Sequence, residues 1–262
     1  MSRHDDTGHH VRMTHDGTPL LPPPPPLSDQ WALFLDVDGT LVAFADDPGR
    51  VSVAPRVVER LADLSRSLGG ALALVSGRRI ETLDALFAPH RFAAAGLHGL
   101  QRRRFGEAAP EPEPPPAALE SVKAQARAIL RERYPDALLE DKGEAIALHW
   151  RTMPEAAADL QGFAMQALTR LPGYHLQPGD HVVELRPARG DKGEAIAAFL
   201  EEPPFLGRRP VFVGDDLTDE HGFEIVNAQG GVSVLVGDRG GSAAEHRLAD
   251  VEAVYAWLGA AA

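Results

Sequence analysis

Cysteine is absent from all 262 residues, which excludes disulfides, thiolate metal sites and a thiol nucleophile. Any catalysis therefore falls to carboxylates, hydroxyls, lysine or histidine. Basic residues are outnumbered, 26 Lys and Arg against 38 Asp and Glu. The resulting net charge of −12 removes the broad positive field that duplex DNA or an anionic membrane surface requires. A small anion needs only one locally positive pocket and stays compatible with that balance. No run approaches the roughly 18 consecutive apolar residues of a membrane span, and the polar, His-rich start lacks the apolar stretch of a secretory signal. The expectation is a cytoplasmic protein without nucleic-acid or membrane partners. What the chain does have is a core: hydrophobic residues make up 44%, enough for one large domain carrying an insertion.

Residues 1–27 end in LPPPPPL, a run that favours polyproline II, and are expected to form a disordered arm. His4, His9, His10 and His15 read as part of a solvated tail, and Pro22 to Pro26 as a spacer. From Trp31 the texture changes. WALFLDVDG is a short apolar run ending in Asp and Gly, as in a buried parallel strand. VVERLADLSRSLGG then shows helical spacing with a Gly stop, followed by the strand ALALVSGR and a helix over 79–87. This alternation implies a parallel α/β sheet of Rossmann-like type covered by helices. A proline-rich stretch at 107–116 interrupts it. Beyond lie a helix over 117–133, two alternating strands, a helix over 154–171 and two further strands, which read as a smaller inserted α+β domain. The α/β rhythm resumes with a helix over 192–200. The boundaries expected are 28–103 and 186–262 for the core and 104–185 for the insertion.

The heptapeptide DKGEAIA occurs twice, at Asp141 to Ala147 and at Asp191 to Ala197. After Gly143 the apolar residues Ile146, Leu148 and Trp150 alternate with Ala147, His149 and Arg151, a strand period. After Gly193, Ala195, Ile196, Phe199 and Leu200 fall at helical spacing. The flanks, not the shared residues, decide the two structures.

Acidic and small polar residues cluster where strands end. Side chains two apart on a strand face the same way, so Asp36 and Asp38 are expected at the carboxyl edge of the sheet, where open α/β folds place ligands. A tight Asp-Gly turn is the competing explanation. LVSGRR puts Ser76 before a helix N-terminus, suited to an anion and equally to capping. Lys192 opens another helix, and VFVGDDLTDE supplies Asp215, Asp216, Asp219 and Glu220. Two negative charges about 4 Å apart repel by roughly 1 kcal/mol in water and about 4 at an effective dielectric of 20. Gathering Asp36, Asp38 and Asp215 beside a phosphate therefore requires compensation by Lys192 and a divalent cation such as Mg²⁺, which takes carboxylate, water and phosphate oxygens.

The ordered set Asp-x-Asp-Gly-Thr, Ser-Gly-Arg, Lys-Gly and Gly-Asp-Asp-x-Thr-Asp-Glu resembles the haloacid dehalogenase superfamily of phosphatases. With AGLHGL, LEDKGEAIALHWR and VVELRP, the chain most resembles its trehalose-6-phosphate phosphatase family, from about Trp31 to Leu258. That resemblance implies Mg²⁺-dependent release of phosphate from a sugar phosphate, and a functional link to a trehalose-phosphate synthase. Asp36 would be the nucleophile, and Asp38 the acid and base, a proton on it being favoured by an ionised Asp36. The metal would be held by Asp36, the Asp38 carbonyl and Asp215, supported by Asp216 and Asp219. Ser76 and Lys192 would grip the phosphoryl oxygens, with Gly77, Arg78 and His98 also expected to bind substrate. Glu140, Lys142 and Glu184 on the inserted cap would recognise the sugar, while His149 and Arg151 are left outside the site. Leu100 and Gln101 depart from the family's usual small residue and acid, which bears on specificity if that loop lines the sugar site. The alternatives are a phosphatase for sucrose phosphate or mannosyl-phosphoglycerate, and a non-catalytic trehalose-phosphate sensor, which would have no need to keep both Asp36 and Asp38. A dinucleotide-binding enzyme is disfavoured because no Gly-x-Gly-x-x-Gly follows the first strand.

Overall fold

The computed structural model describes residues 21–43, 51–108 and 114–260. The four histidines of the expected arm, and most of its length, lie outside the described residues. The first part of the chain forms β1 (Trp31–Leu35), α1 (Pro55–Ser67), β2 (Leu72–Val75), α2 (Ile80–Leu86), β3 (Ala93–Gly96) and β4 (Gln101–Arg103). Then come α3 (Ala117–Arg133), β5 (Leu138–Asp141), β6 (Ile146–His149), α4 (Ala157–Leu168), β7 (Tyr174–Gly179) and β8 (Val182–Pro187). The chain finishes with α5 (Lys192–Leu200), β9 (Arg209–Gly214), α6 (Glu220–Ala228), β10 (Val232–Val236), β11 (His246–Leu248) and α7 (Val251–Leu258). No helix among the described residues is long and apolar enough to cross a membrane.

Seven strands make one sheet in the order β11-β10-β9-β1-β2-β3-β4, parallel throughout except for β4. Every residue of β1 is buried, as its unbroken apolar run requires of a strand covered on both faces. β1 lies between β2 and β9, so the chain leaves it in opposite directions. The crevice beyond its carboxyl end is therefore the switch point at which such sheets bind ligands.

A second, antiparallel sheet has the order β5-β6-β8-β7. Its period of two separates its faces. Ile146, Leu148, Val183 and Leu185 turn toward Leu119, Val122 and Ala126 of α3 and Leu160 and Ala164 of α4, forming an apolar core separate from that of the first sheet. Full burial of one such leucine stabilises by about 1.5–3 kcal/mol. On the opposite face the strand register aligns Glu140, Ala147, Glu184 and Gln177 in one row.

Three strands were not expected. β3 is built on Ala93, Ala94 and Ala95, whose low strand propensity conceals a fully buried element, and β4 and β11 are only three residues each. Residues 21–27, assigned above to the arm, lie against the core. Leu21 and Leu27 pack on it, the Arg247 N–H donates to Pro22 O at 2.9 Å, and the Trp257 indole donates to Pro25 O at 2.9 Å. Prolines lack donors but keep their carbonyls, and those carbonyls hold the segment. The helix expected over 154–171 divides into a short 3₁₀ turn, Pro154–Ala156, and α4.

Candidate active site

A cavity of about 650 Å³ opens between the carboxyl edge of the first sheet and the polar face of the second. That size falls within the roughly 300–1,000 Å³ of small-molecule pockets. Its floor is made by the segments that leave β1, β2, β3, β9 and β10 and by the start of α5, and its roof by β5, β6, β7 and β8 with their connections.

At the floor Asp36 follows β1, anchored by its N–H to Val213 O at 2.9 Å, and its carboxylate is almost wholly buried. Lys192, at the start of α5, places its ammonium 3.0 Å from Asp36 Oδ1 and 2.7 Å from Asp219 Oδ1. Carboxylate oxygens of Asp36, Asp215 and Asp219 all lie within 4.8 Å of one another. Burial, opposed by Lys192 and reinforced by Asp219 and Asp215, holds the Asp36 carboxyl well above the ordinary range. Burial and the neighbouring Asp219 and Asp216 push Asp215 up to about 7, and burial pushes Asp219 to about 6. Burial favours the neutral amine of Lys192, but Asp219 and Asp36 outweigh it and raise that pKa well above the usual. Three clustered carboxylates against one ammonium leave excess negative charge on hard oxygen donors, the donor set that suits a hard divalent cation.

The four acids of 215–220 divide their labour. Asp216 and Asp219 form a capping box: Asp216 accepts the Thr218 N–H at 2.8 Å, and Asp219 Oδ2 accepts the N–H groups of Asp215 and Asp216 at 2.9 and 3.0 Å. Glu220 accepts from Arg239 and from the Ala243 N–H. Asp215 and Asp216 both line the cavity, and the Thr40 hydroxyl donates to Asp215 at 3.4 Å. Asp219, expected among the supporting residues, belongs to the carboxylate cluster itself and does not line the cavity.

Asp38 departs from the expectation that it shares a strand face with Asp36. β1 has ended by Leu35, and Asp38 sits in the following turn, where Arg78 donates to both its oxygens at 2.7 and 2.6 Å. Ser76 is fully buried; its hydroxyl accepts the Arg78 N–H at 3.1 Å, and Gly77 rather than Ser76 reaches the cavity wall.

Across the cavity Lys142 Nζ lies 2.9 Å from Glu184 Oε2 and 4.0 Å from Glu140 Oε2. Burial works against the charge on Glu184, yet Lys142 and His98 hold its carboxyl far below the ordinary range. Burial also works against the Lys142 ammonium, and Glu184 and Glu140 outweigh it. His98 approaches Glu184 from the first sheet at 3.7 Å and adopts a left-handed backbone, φ 56°. Glu184 Oε1 and His98 Nδ1 are buried without a hydrogen-bond partner in this arrangement.

The roof also contains His149, 3.1 Å from Glu140, and Arg151, 2.7 Å from Asp180, both left out of the expected site. Arg239 in the loop after β10 was missed altogether; it donates to Asp216 O at 3.1 Å, and its place beyond the carboxyl end of a parallel strand was the available signal. Leu100 and Gln101 do not line the cavity. Gln101 is buried and accepts the Ile80 N–H at 3.0 Å, capping α2.

A parallel sheet with acids and a lysine at its carboxyl edge, roofed by a polar antiparallel sheet, is an α/β fold of the haloacid dehalogenase type. The trehalose-phosphatase family model matches residues 34–252, and the chain belongs to that family. A trehalose-6-phosphate phosphatase of Escherichia coli K12 is 44% identical over 234 residues, covering 89% of this chain and 87% of that one. A probable trehalose-phosphate phosphatase of Sinorhizobium fredii is 46% identical over 214 residues, covering 80% and 78%. The C-terminal domain of the Candida albicans trehalose-6-phosphate phosphatase superposes with a TM-score of 0.74 at 19% identity, covering 88% of this chain and 93% of that one, a likeness of fold.

Proposed function

We propose that this protein hydrolyses trehalose 6-phosphate to trehalose and phosphate with Mg²⁺ as cofactor. The observation that carries this reading is the facing of two sites across one cavity: an acidic cluster with Lys192 on the floor, and Glu140, Lys142 and Glu184 on the roof. The first suits a phosphoryl group and a cation, the second a polyhydroxylated sugar. Residues 104–185 act as a cap that closes over the substrate and excludes water.

Asp36 and Asp215, with the Asp38 carbonyl, would hold Mg²⁺, with Asp219 beside them. Bound there, the cation supplies charge neutralisation and polarisation of a phosphoryl oxygen. Lys192 favours the ionised form of Asp36 against the opposing effect of burial, and offers its remaining donor capacity to the phosphoryl group. Asp36 attacks phosphorus, the bond to the sugar oxygen breaks, and Asp38 delivers a proton to that oxygen. Because Arg78 occupies both oxygens of Asp38, proton transfer requires one of those bonds to open. Asp38 then takes a proton from the water that attacks the aspartyl-phosphate, releasing phosphate and restoring Asp36. On the roof, the unpartnered Glu184 Oε1 can accept from a sugar hydroxyl and Lys142 can donate to one. A cytoplasmic location and a link to a synthase that supplies the sugar phosphate belong to the same proposal.

Phosphate release from trehalose 6-phosphate, with Mg²⁺ and after its removal by a chelator, tests the reading. Activity is expected only with Mg²⁺ and is expected to fall at least about 10³-fold in Asp36→Asn. An Asp36→Asn protein as active as the parent would overturn the assignment of the nucleophile. Equal turnover of unrelated sugar phosphates would overturn the substrate.

A further inference from the structure

On α3 the buried positions are Leu119, Val122, Lys123, Ala126 and Leu130, so a lysine occupies the apolar stripe of a cap helix. Only 2% of Lys123 is exposed, and a buried ammonium is costly unless its donors are used. They are used: Nζ donates to Gly143 O at 2.8 Å and Glu120 Oε1 at 2.7 Å, and lies 2.8 Å from Asp141 Oδ1. Two of these partners flank Lys142. Asp141 also accepts the Gly143 N–H at 3.0 Å, and the Lys142 N–H closes the turn on Ala145 O at 3.0 Å. From the other side Arg189 donates to Glu144 Oε2 at 2.6 Å and the Tyr174 hydroxyl to Glu144 O at 2.9 Å. The turn that presents Lys142 to the cavity is thus gripped by α3 on one side, and by β7 and the segment after β8 on the other.

We infer that Lys123 is a positioning residue for substrate recognition: it holds the turn 141–145 in the one arrangement that aims Lys142 and Glu140 at the sugar. This rests on the sugar-recognition role proposed above for the roof. The polar partners of Lys123, Glu120, Asp141 and Gly143, do not line the cavity, so its loss loosens sugar recognition through the turn and leaves the floor intact.

The test compares Lys123→Met, which keeps the apolar stem, with Asp141→Asn, which weakens the same anchor from its exposed side should the first variant fold poorly. Hydrogen exchange at the Lys142 and Gly143 amides is expected to quicken about tenfold or more in both, with β1 amides unchanged. KM for trehalose 6-phosphate is expected to rise about tenfold while kcat, and turnover of p-nitrophenyl phosphate, which carries no sugar, stay within about twofold. The double variant should lose no more than the worse single one, because both act through one anchor. Unchanged exchange in the turn, unchanged KM, or an equal fall on both substrates would overturn the inference. A parent protein inactive on trehalose 6-phosphate would sink the proposed function instead, and the exchange rates would still decide whether Lys123 holds the turn.

Discussion

The two copies of DKGEAIA stand on opposite walls of one cavity and use the same residues differently. At 141–147 the segment is a turn entering β6; at 191–197 it is the first turns of α5. In both, the leading acid organises the backbone: Asp141 accepts the Gly143 N–H, and Asp191 caps α5 by accepting the Glu194 N–H at 2.9 Å. In both, the lysine faces the cavity, Lys142 from the roof and Lys192 from the floor. The glycines part company. Gly143 has φ +81°, where a side chain is strained, while its Cβ position makes only ordinary contact, 3.7 Å from Arg79 Nη1. Gly193 has an ordinary φ, but a Cβ there would meet His221 at 2.7 Å. One glycine serves a turn and the other a close helix contact. Seven identical residues carry no architecture of their own; the periodicity that follows them does.

The comparison breaks most visibly at the lysines. Lys192→Met leaves Asp36 and Asp219 without their cation, so kcat/KM is expected to fall about 10³-fold, or roughly 4 kcal/mol of barrier, on trehalose 6-phosphate and p-nitrophenyl phosphate alike. Steady-state kinetics on both substrates checks this, and a loss confined to the sugar substrate would put Lys192 on the wrong wall.

Next in size is the partner of the roof lysine. The Glu184 carboxyl is depressed in the folded protein, so its stabilisation is present above the unfolded value near 4.3 and is lost as pH falls from there toward the folded value. Thermal unfolding of the parent and Glu184→Gln is expected to differ by about 3 kcal/mol at neutral pH. That gap should narrow below about pH 4. A gap that widened on acidification would contradict the pairing.

Lys142→Met should raise KM for trehalose 6-phosphate by about 10–100-fold and spare p-nitrophenyl phosphate, the converse of the Lys192 pattern. The glycines give the smallest and sharpest effect. Gly143→Ala is expected to cost about 1–2 kcal/mol through left-handed strain, and Gly193→Ala about 1–3 through crowding against His221. Asparagine separates the two causes in denaturant titrations: Gly143→Asn should be milder than Gly143→Ala, and Gly193→Asn more damaging than Gly193→Ala.

Local signals made the helices legible. α3 and α5 begin and end where their apolar spacing says, because a 3.6-residue period sustained over nine to seventeen residues has few competing explanations. β3 was invisible for the opposite reason: alanine favours helix, and only the packing of neighbouring elements makes Ala93–Ala95 a strand. In the site, acids at strand ends were readable, since the carboxyl edge of a parallel sheet is fixed by topology. Their division of roles was not. Asp219 is turned from the cavity to cap the following helix by hydrogen bonds three and four residues apart, Asp216 caps while still lining the cavity, and Asp38 is claimed by Arg78 from forty residues away. Lys123 illustrates the remaining gap. A lysine in an apolar stripe is a visible anomaly in sequence, but its partners become apparent only when α3 meets the turn.

β11 is the outermost strand of the large sheet, and its outward N–H at Arg247 is taken by Pro22 O. A proline segment accepts but cannot donate in return, so it seals that margin without offering a new ladder on its far side. Removing residues 21–27 would expose a pairing edge together with the Trp257 indole, and self-association, rather than lost catalysis, would be the first symptom.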